Sequence, residues 1–127
     1  MFIEEEFNSG ISDTRYLELL EIAEKGNNRK LVSFLNQLLW LGAKYDEMEE
    51  QEDKVHELRD EYKQIKMSIS SSMSSELESK YQLKSIIAKS AYMDAKGLLR
   101  KLTSKMEEFR DKTMSYYRQY KAEICSN

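Results

Sequence analysis

From Asn28 to Ile69 the chain carries no proline and a single glycine, Gly42, while its larger apolar residues recur in steps of mostly three and four. Leu31, Phe34, Leu38, Leu41, Tyr45 and Met48 lead into Val55, Leu58, Tyr62, Ile65 and Ile69. Because 3.6 residues complete a helical turn, such steps place side chains on one stripe of an α-helix. At 1.5 Å per residue the helix would be about 60 Å long. A rod of that length cannot cover its own stripe, so it requires a partner helix of similar length. The chain supplies one from Glu76 to Ile124.

The expected fold is therefore all-α: a short N-terminal helix followed by a long antiparallel helical hairpin of coiled-coil type. At 127 residues it is one helical domain, with an arm and short helix over 1–27, a long helix over 28–70 and a returning helix over 76–124. The absence of proline, with 34% charged and 40% apolar residues, agrees with long helices. The longest apolar run, Leu38 to Ala43, is far too short to cross a bilayer, so no membrane partner is expected. Glu4, Glu5 and Glu6 stand where a leader would carry positive charge, which points to the cytoplasm. Cys125 has no second cysteine to pair with.

Along the chain, Phe2, Ile3 and Phe7 form either a docking arm or a loosely ordered start. Ser12 or Asp13 can cap a helix carrying Tyr16, Leu17, Leu20 and Ile22, with a left-handed stop expected at Gly26 and a cap for the long helix at Asn28. Leu17, Leu20, Phe34 and Leu38 are expected to pack together. The stripe thins between Met48 and Val55. From Asp46 to Glu61 there are nine acidic and two basic residues. This stretch is either a solvated face laced with salt bridges or an acidic surface for a basic partner.

Ser68, Ser70, Ser71, Ser72, Ser74 and Ser75 then crowd together. Serine competes for backbone hydrogen bonds, so the rod is expected to bend at 70–75. Ser75-Glu76-Leu77-Glu78 reads as the capping box of the returning helix. Its heptad-like stripe runs Leu77, Tyr81, Lys84, Ala88, Ala91, Ala95, Leu98, Leu102, Met106, Phe109, Thr113, Tyr116 and Tyr120. Within it, Ala88, Ala91, Ala95, Leu98, Leu102 and Phe109 are the candidate helix-packing and oligomer residues. Leu83, Ile86, Ile87 and Leu99 lie off that stripe and widen the apolar surface, which points to a homo-oligomer. Between Lys96 and Lys121 stand eight basic and three acidic residues, available to pair with the acidic stretch of the first rod.

No catalytic constellation is present. His56 is the one histidine, and no Glu-x-x-His pair or glycine-rich loop accompanies it. The expectation is a protein that is not an enzyme, with no cofactor and no metal. Trp40-Leu41-Gly42 matches the Trp-x-Gly bend of small secreted helical hairpins, but here it falls inside a periodic helix, so Trp40 is read as buried. Arg59, Lys63 and Lys66 form one cationic stripe beside Tyr62, and Lys80 and Lys84 return to the same end after the bend, beside Tyr81. Cations can follow phosphates while rings stack on bases, so Arg59, Tyr62, Lys63, Lys66, Lys80 and Lys84 are the candidate single-stranded-DNA site. The plainer account of these residues is a solvated helix face.

Several segments resemble a known family. Asn27-Asn28-x-x-Leu31-x-Ser33 followed by Leu35-Asn36 resembles the start of the long helix in UvsY, the recombination mediator of large tailed phages. Arg59-x-Glu61-Tyr62 is similar to that family's Arg-x-Asp-Tyr, and Leu83-Lys84-Ser85-Ile86-Ile87 to its Met-Lys-Thr-Val-Leu. Ile11, Asp13, Thr14 and Leu17 echo its Ile-Asp-x-Thr-x-Leu. The resemblance implies a ring-like homo-oligomer that binds single-stranded DNA, helps remove the single-strand-binding protein and loads the strand-exchange recombinase. For a phage-encoded chain the place of action is the host cytoplasm. In the family's DNA-binding Lys-x-Arg pair, Arg59 matches the arginine and Glu57 occupies the lysine position. The alternative, independent of the resemblance, is a structural or adaptor hairpin that assembles proteins without nucleic acid.

Overall fold

The structure, a computed structural model, describes residues 2–69 and 73–126. Among them are four helices: α1 (Glu4–Ser9), α2 (Asp13–Lys25), α3 (Arg29–Met67) and α4 (Ser75–Ile124). The chain divides into two compact units: Met1–Glu47 with Leu102–Asn127 is the terminal unit, and Met48–Lys101 is the hairpin unit. Among the described residues no helix is long and apolar enough to cross a membrane.

The terminal unit holds the larger core. Ile11, Leu19, Ala23, Leu31, Phe34, Leu35, Leu38 and Ile124 are buried together, with Phe2, Phe7, Tyr16 and Tyr117 packed against them. The arm is neither loose nor merely extended. Its short helix α1 seats Phe2 and Phe7 edge-on against Tyr117, and Phe2 meets Phe34 with centroids 5.0 Å apart. Glu6 is buried, caps the backbone N–H of Ile3 at 3.0 Å and pairs with Arg15 of α2. Burying a carboxylate is costly unless its oxygens are occupied, and here both are.

Helix α2 buries a different stripe from the one expected. Leu19 and Ala23 are inside, with Tyr16 and Leu20 half-buried, whereas Leu17 and Ile22 are 62% and 46% exposed. The steps 16, 19/20, 23 follow the helical period, which leaves Leu17 facing out. Ser12 is the N-cap, accepting from Arg15 N–H. The left-handed residue ending this segment is Asn27 (φ 51°), not Gly26, which is right-handed at φ −86°. Asn adopts that conformation more readily than other residues with a side chain. Asn28 then caps α3: its side-chain oxygen accepts from Leu31 N–H at 3.1 Å, and its amide donates to Glu123 O at 2.8 Å. One side chain thus starts α3 and ties it to the end of α4. Thr113, buried in α4, satisfies its hydroxyl on Phe109 O within its own helix. Trp40, expected inside, is 60% exposed, because the buried phase of α3 runs through Leu38 and Leu41.

In the hairpin unit α3 and α4 run antiparallel along one seam. On α3 it passes through Met48, Gln51, Val55, Leu58, Tyr62 and Ile65. The thin region of the stripe is thus filled by Gln51 and Val55. Gln51 is buried and donates its amide to Ala95 O at 3.0 Å, reached because Ala95 has no larger side chain in the way. On α4 the seam is Tyr81, Ser85, Ala88, Tyr92, Ala95 and Leu99. Lys84, Ala91 and Leu98, which share the expected stripe, are exposed, and Leu99 replaces Leu98 inside. The expected and observed stripes coincide at 81, 88 and 95 and differ in the alternate layer; that layer is chosen by what α3 presents, not by hydropathy. Helix α4 is capped by Ser74, whose hydroxyl accepts from Leu77 N–H at 3.3 Å, one residue before the expected Ser75. The bend expected at 70–75 falls partly on residues 70–72, outside the described residues.

Candidate nucleic-acid interface

The seam sets which charged residues share a flank. In an antiparallel pair, residues offset to the same rotational side of each seam project to the same side of the hairpin. By this geometry Arg59, Lys63 and Lys66 of α3 fall on one flank with Lys89 and Lys96 of α4. Tyr62 and Tyr92 meet edge-to-face at its base, with centroids 6.4 Å apart and planes at 61°. Lys66 Nζ stands 5.8 Å over the Tyr62 ring and Lys96 Nζ 5.3 Å over the Tyr92 ring. Both rings are half-buried, so each is held by the seam at one edge while a lysine covers a face. Arg59 is also half-buried and leans on its neighbour Asp60 at 3.5 Å.

Lys80 and Lys84 do not join this cluster. Lys84 Nζ lies 5.1 Å over the Tyr81 ring, and by the same rotational geometry both lysines fall on the opposite flank of the seam. Their places are taken by Lys89, Lys96 and Tyr92, which sequence spacing did not single out. The missing signal was the phase of α4: with Ser85, Tyr92 and Leu99 inside, Lys89 and Lys96 move beside Arg59. Of the helix-packing candidates, Ala88 and Ala95 lie in the hairpin seam, Leu102 and Phe109 are half-buried in the terminal unit, and Ala91 and Leu98 face outward.

The cations of α4 do not serve the acids of α3. Among the described residues, no ion pair joins the two helices: in the hairpin unit Arg59 pairs with Asp60 and His56 Nε2 lies 3.8 Å from Glu52, both inside α3. The remaining ion pairs lie elsewhere, between Glu6 and Arg15 and within single helices.

No protein family, curated protein or solved structure matches this chain.

Proposed function

We propose that the protein is a non-enzymatic single-stranded-DNA-binding recombination mediator, which helps load a strand-exchange recombinase onto DNA covered by single-strand-binding protein in the host cytoplasm. The observation that carries this reading is the Tyr62–Tyr92 pair flanked by Lys66 and Lys96, with Arg59 and Lys63 on the same flank. A single strand offers alternating phosphates and ring faces. Lysines that already lie over aromatic faces can turn to phosphates as bases take their place. The resemblance to UvsY-type mediators supports the choice of DNA and of recombination. Each chain can engage few phosphates, so useful affinity would come from repetition in an oligomer along one strand.

The adaptor reading has its own support. An aromatic residue followed three or four residues later by a lysine over its ring recurs at Trp40 and Lys44, Tyr81 and Lys84, and Tyr117 and Lys121. A pairing spread over the chain also serves to stiffen long helices. Anisotropy of a labelled single-stranded oligonucleotide at low and moderate salt separates the two. The mediator reading expects salt-sensitive binding, weakened in the Arg59→Ala, Lys63→Ala double variant, with the log–log salt slope reduced by about 0.7 for each phosphate no longer neutralised. Absence of binding by the wild type at low salt leaves the adaptor.

A further inference from the structure

The terminal unit carries a groove of about 570 Å³ on the outward face of α3, a volume within the range of small-ligand sites. Trp40, Phe109 and Val32 give it apolar surface, Ser33, Asn36 and Gln37 give it polar groups, and Arg29 alone among its lining residues is charged. Trp40 is the only tryptophan of the chain. Among the described residues no other ring packs on it, and Lys44 Nζ stands 6.0 Å from its centroid. The two amides are only half used. The Tyr16 hydroxyl donates to Asn36 Oδ1 at 2.8 Å, which leaves the Asn36 N–H groups, and Gln37 donates to Ser33 Oγ at 3.5 Å, which leaves Gln37 Oε1. Arg29 makes no ion pair among the described residues, although Glu24 of α2 shares the adjoining hollow with it. Lys105 and Lys112 stand one turn before and after Phe109. Lys112 is tied to Glu108 at 3.7 Å, as Lys44 is to Glu47 at 3.5 Å, and Lys105 pairs with no acid among the described residues.

We propose that this groove takes an unpaired nucleobase of a single strand, stacked on Trp40, with a neighbouring phosphate of the same strand on Arg29. The inference rests on the single-strand reading above and adds a contact in the terminal unit. An open indole face suits a base, since every base has a π-face. The free donor of Asn36 and the free acceptor of Gln37 answer the Watson–Crick edge, where each base offers both kinds of group, so the site accepts any base. An apolar peptide would leave the two amides and Arg29 unanswered. Arg29 stands about two turns before Asn36, or about 11 Å along the helix. The phosphate it meets is therefore one further along the strand, and a mononucleotide would fall short of it. The groove has a cation and no acid in its lining, the balance a phosphate requires.

Because Trp40 is the only tryptophan, its emission reports the groove directly. The full chain is titrated with short oligothymidylate, with an abasic strand of the same length and with thymidine monophosphate, while anisotropy of labelled strands follows binding independently. Oligothymidylate is expected to quench Trp40 to saturation; the abasic strand binds with little quenching, and the mononucleotide acts only at far higher concentration. Trp40→Ala is expected to weaken strand binding about tenfold and Trp40→Phe to retain most of it. Arg29→Ala is expected to lower the log–log salt slope by about 0.7. Both side chains are exposed, so unchanged helical circular dichroism is expected in every variant. A strand that binds by anisotropy without quenching, and with full affinity for Trp40→Ala, overturns this inference and leaves the single-strand reading standing. No binding of any strand at low salt overturns both. Equal quenching by the abasic strand removes the stacked base, and quenching by the mononucleotide as tight as by the strand reassigns the groove to free nucleotides; either overturns the proposal. A Trp40 already shielded from acrylamide before strand is added assigns the groove to a second copy and overturns it too.

Discussion

The backbones of Gly10 and Gly42 touch: a methyl carbon on Gly10 would fall 2.5 Å from Gly42 Cα and 2.7 Å from Leu38 O. Gly10 also sits at φ 93°, a conformation side chains resist. Gly10→Ala is therefore expected to cost at least about 2 kcal/mol, read as a lower thermal midpoint by circular dichroism. The partner position behaves differently. A Cβ on Gly42 meets Ser9 O at 3.4 Å, an ordinary contact, and Ala favours helix, so Gly42→Ala should be neutral or stabilising by up to about 1 kcal/mol.

Gln51 and Ala95 form a size-matched pair in the hairpin seam. Ala95→Leu would drive a side chain into the space of the glutamine and should cost about 1–3 kcal/mol. Gln51→Leu keeps the volume and removes one buried polar group along with its bond, so its effect on urea stability should stay within about 1 kcal/mol. Equal losses from the two variants would contradict this account of the seam.

The flank assignment separates lysines that sequence spacing would group together. Lys89→Ala with Lys96→Ala should weaken binding to a single-stranded oligonucleotide and lower its salt slope by about 0.7 for each phosphate left unneutralised. Lys80→Ala with Lys84→Ala, on the other flank, removes the same charge and should change the affinity less. If the second pair matters more, the interface lies on the Lys80–Lys84 side of the seam instead.

Tyr117 lies in the aromatic cluster of the terminal unit, its hydroxyl 3.7 Å from Cys125 Sγ. Burial first, then the hydrogen bond and the charge of the Cys125 thiolate, raise its pKa above the usual tyrosine value. The folded state then holds this proton longer than the unfolded chain does. Its contribution is intact below the ordinary phenol range and is lost as pH rises through the folded value. Absorbance titration at 295 nm should show one late tyrosine among the eight, missing in Tyr117→Phe, together with a shallower alkaline loss of stability.

The existence and approximate extent of α2, α3 and α4 were legible in residue order alone, whereas α1, read as a docking arm or a loose start, was not. Spacing of three and four without proline, an Asn at the start of α3 and a serine before α4 are local causes, and a helix needs nothing else to declare itself. Phase was not legible. On α4 the stripes through Leu98 and through Leu99 are equally apolar, and the choice between them fell to α3, whose Gln51 reaches the carbonyl of Ala95. That choice carried Lys96 beside Arg59 and left Lys84 on the far flank. In the same way Leu17 and Leu19 are equal in hydropathy, and only the packing of α2 on Phe34 and Leu35 turned Leu19 inward. Periodicity is a property of one helix, whereas the face it buries belongs to a pair. The charge pattern of a surface therefore had to wait for the tertiary fold.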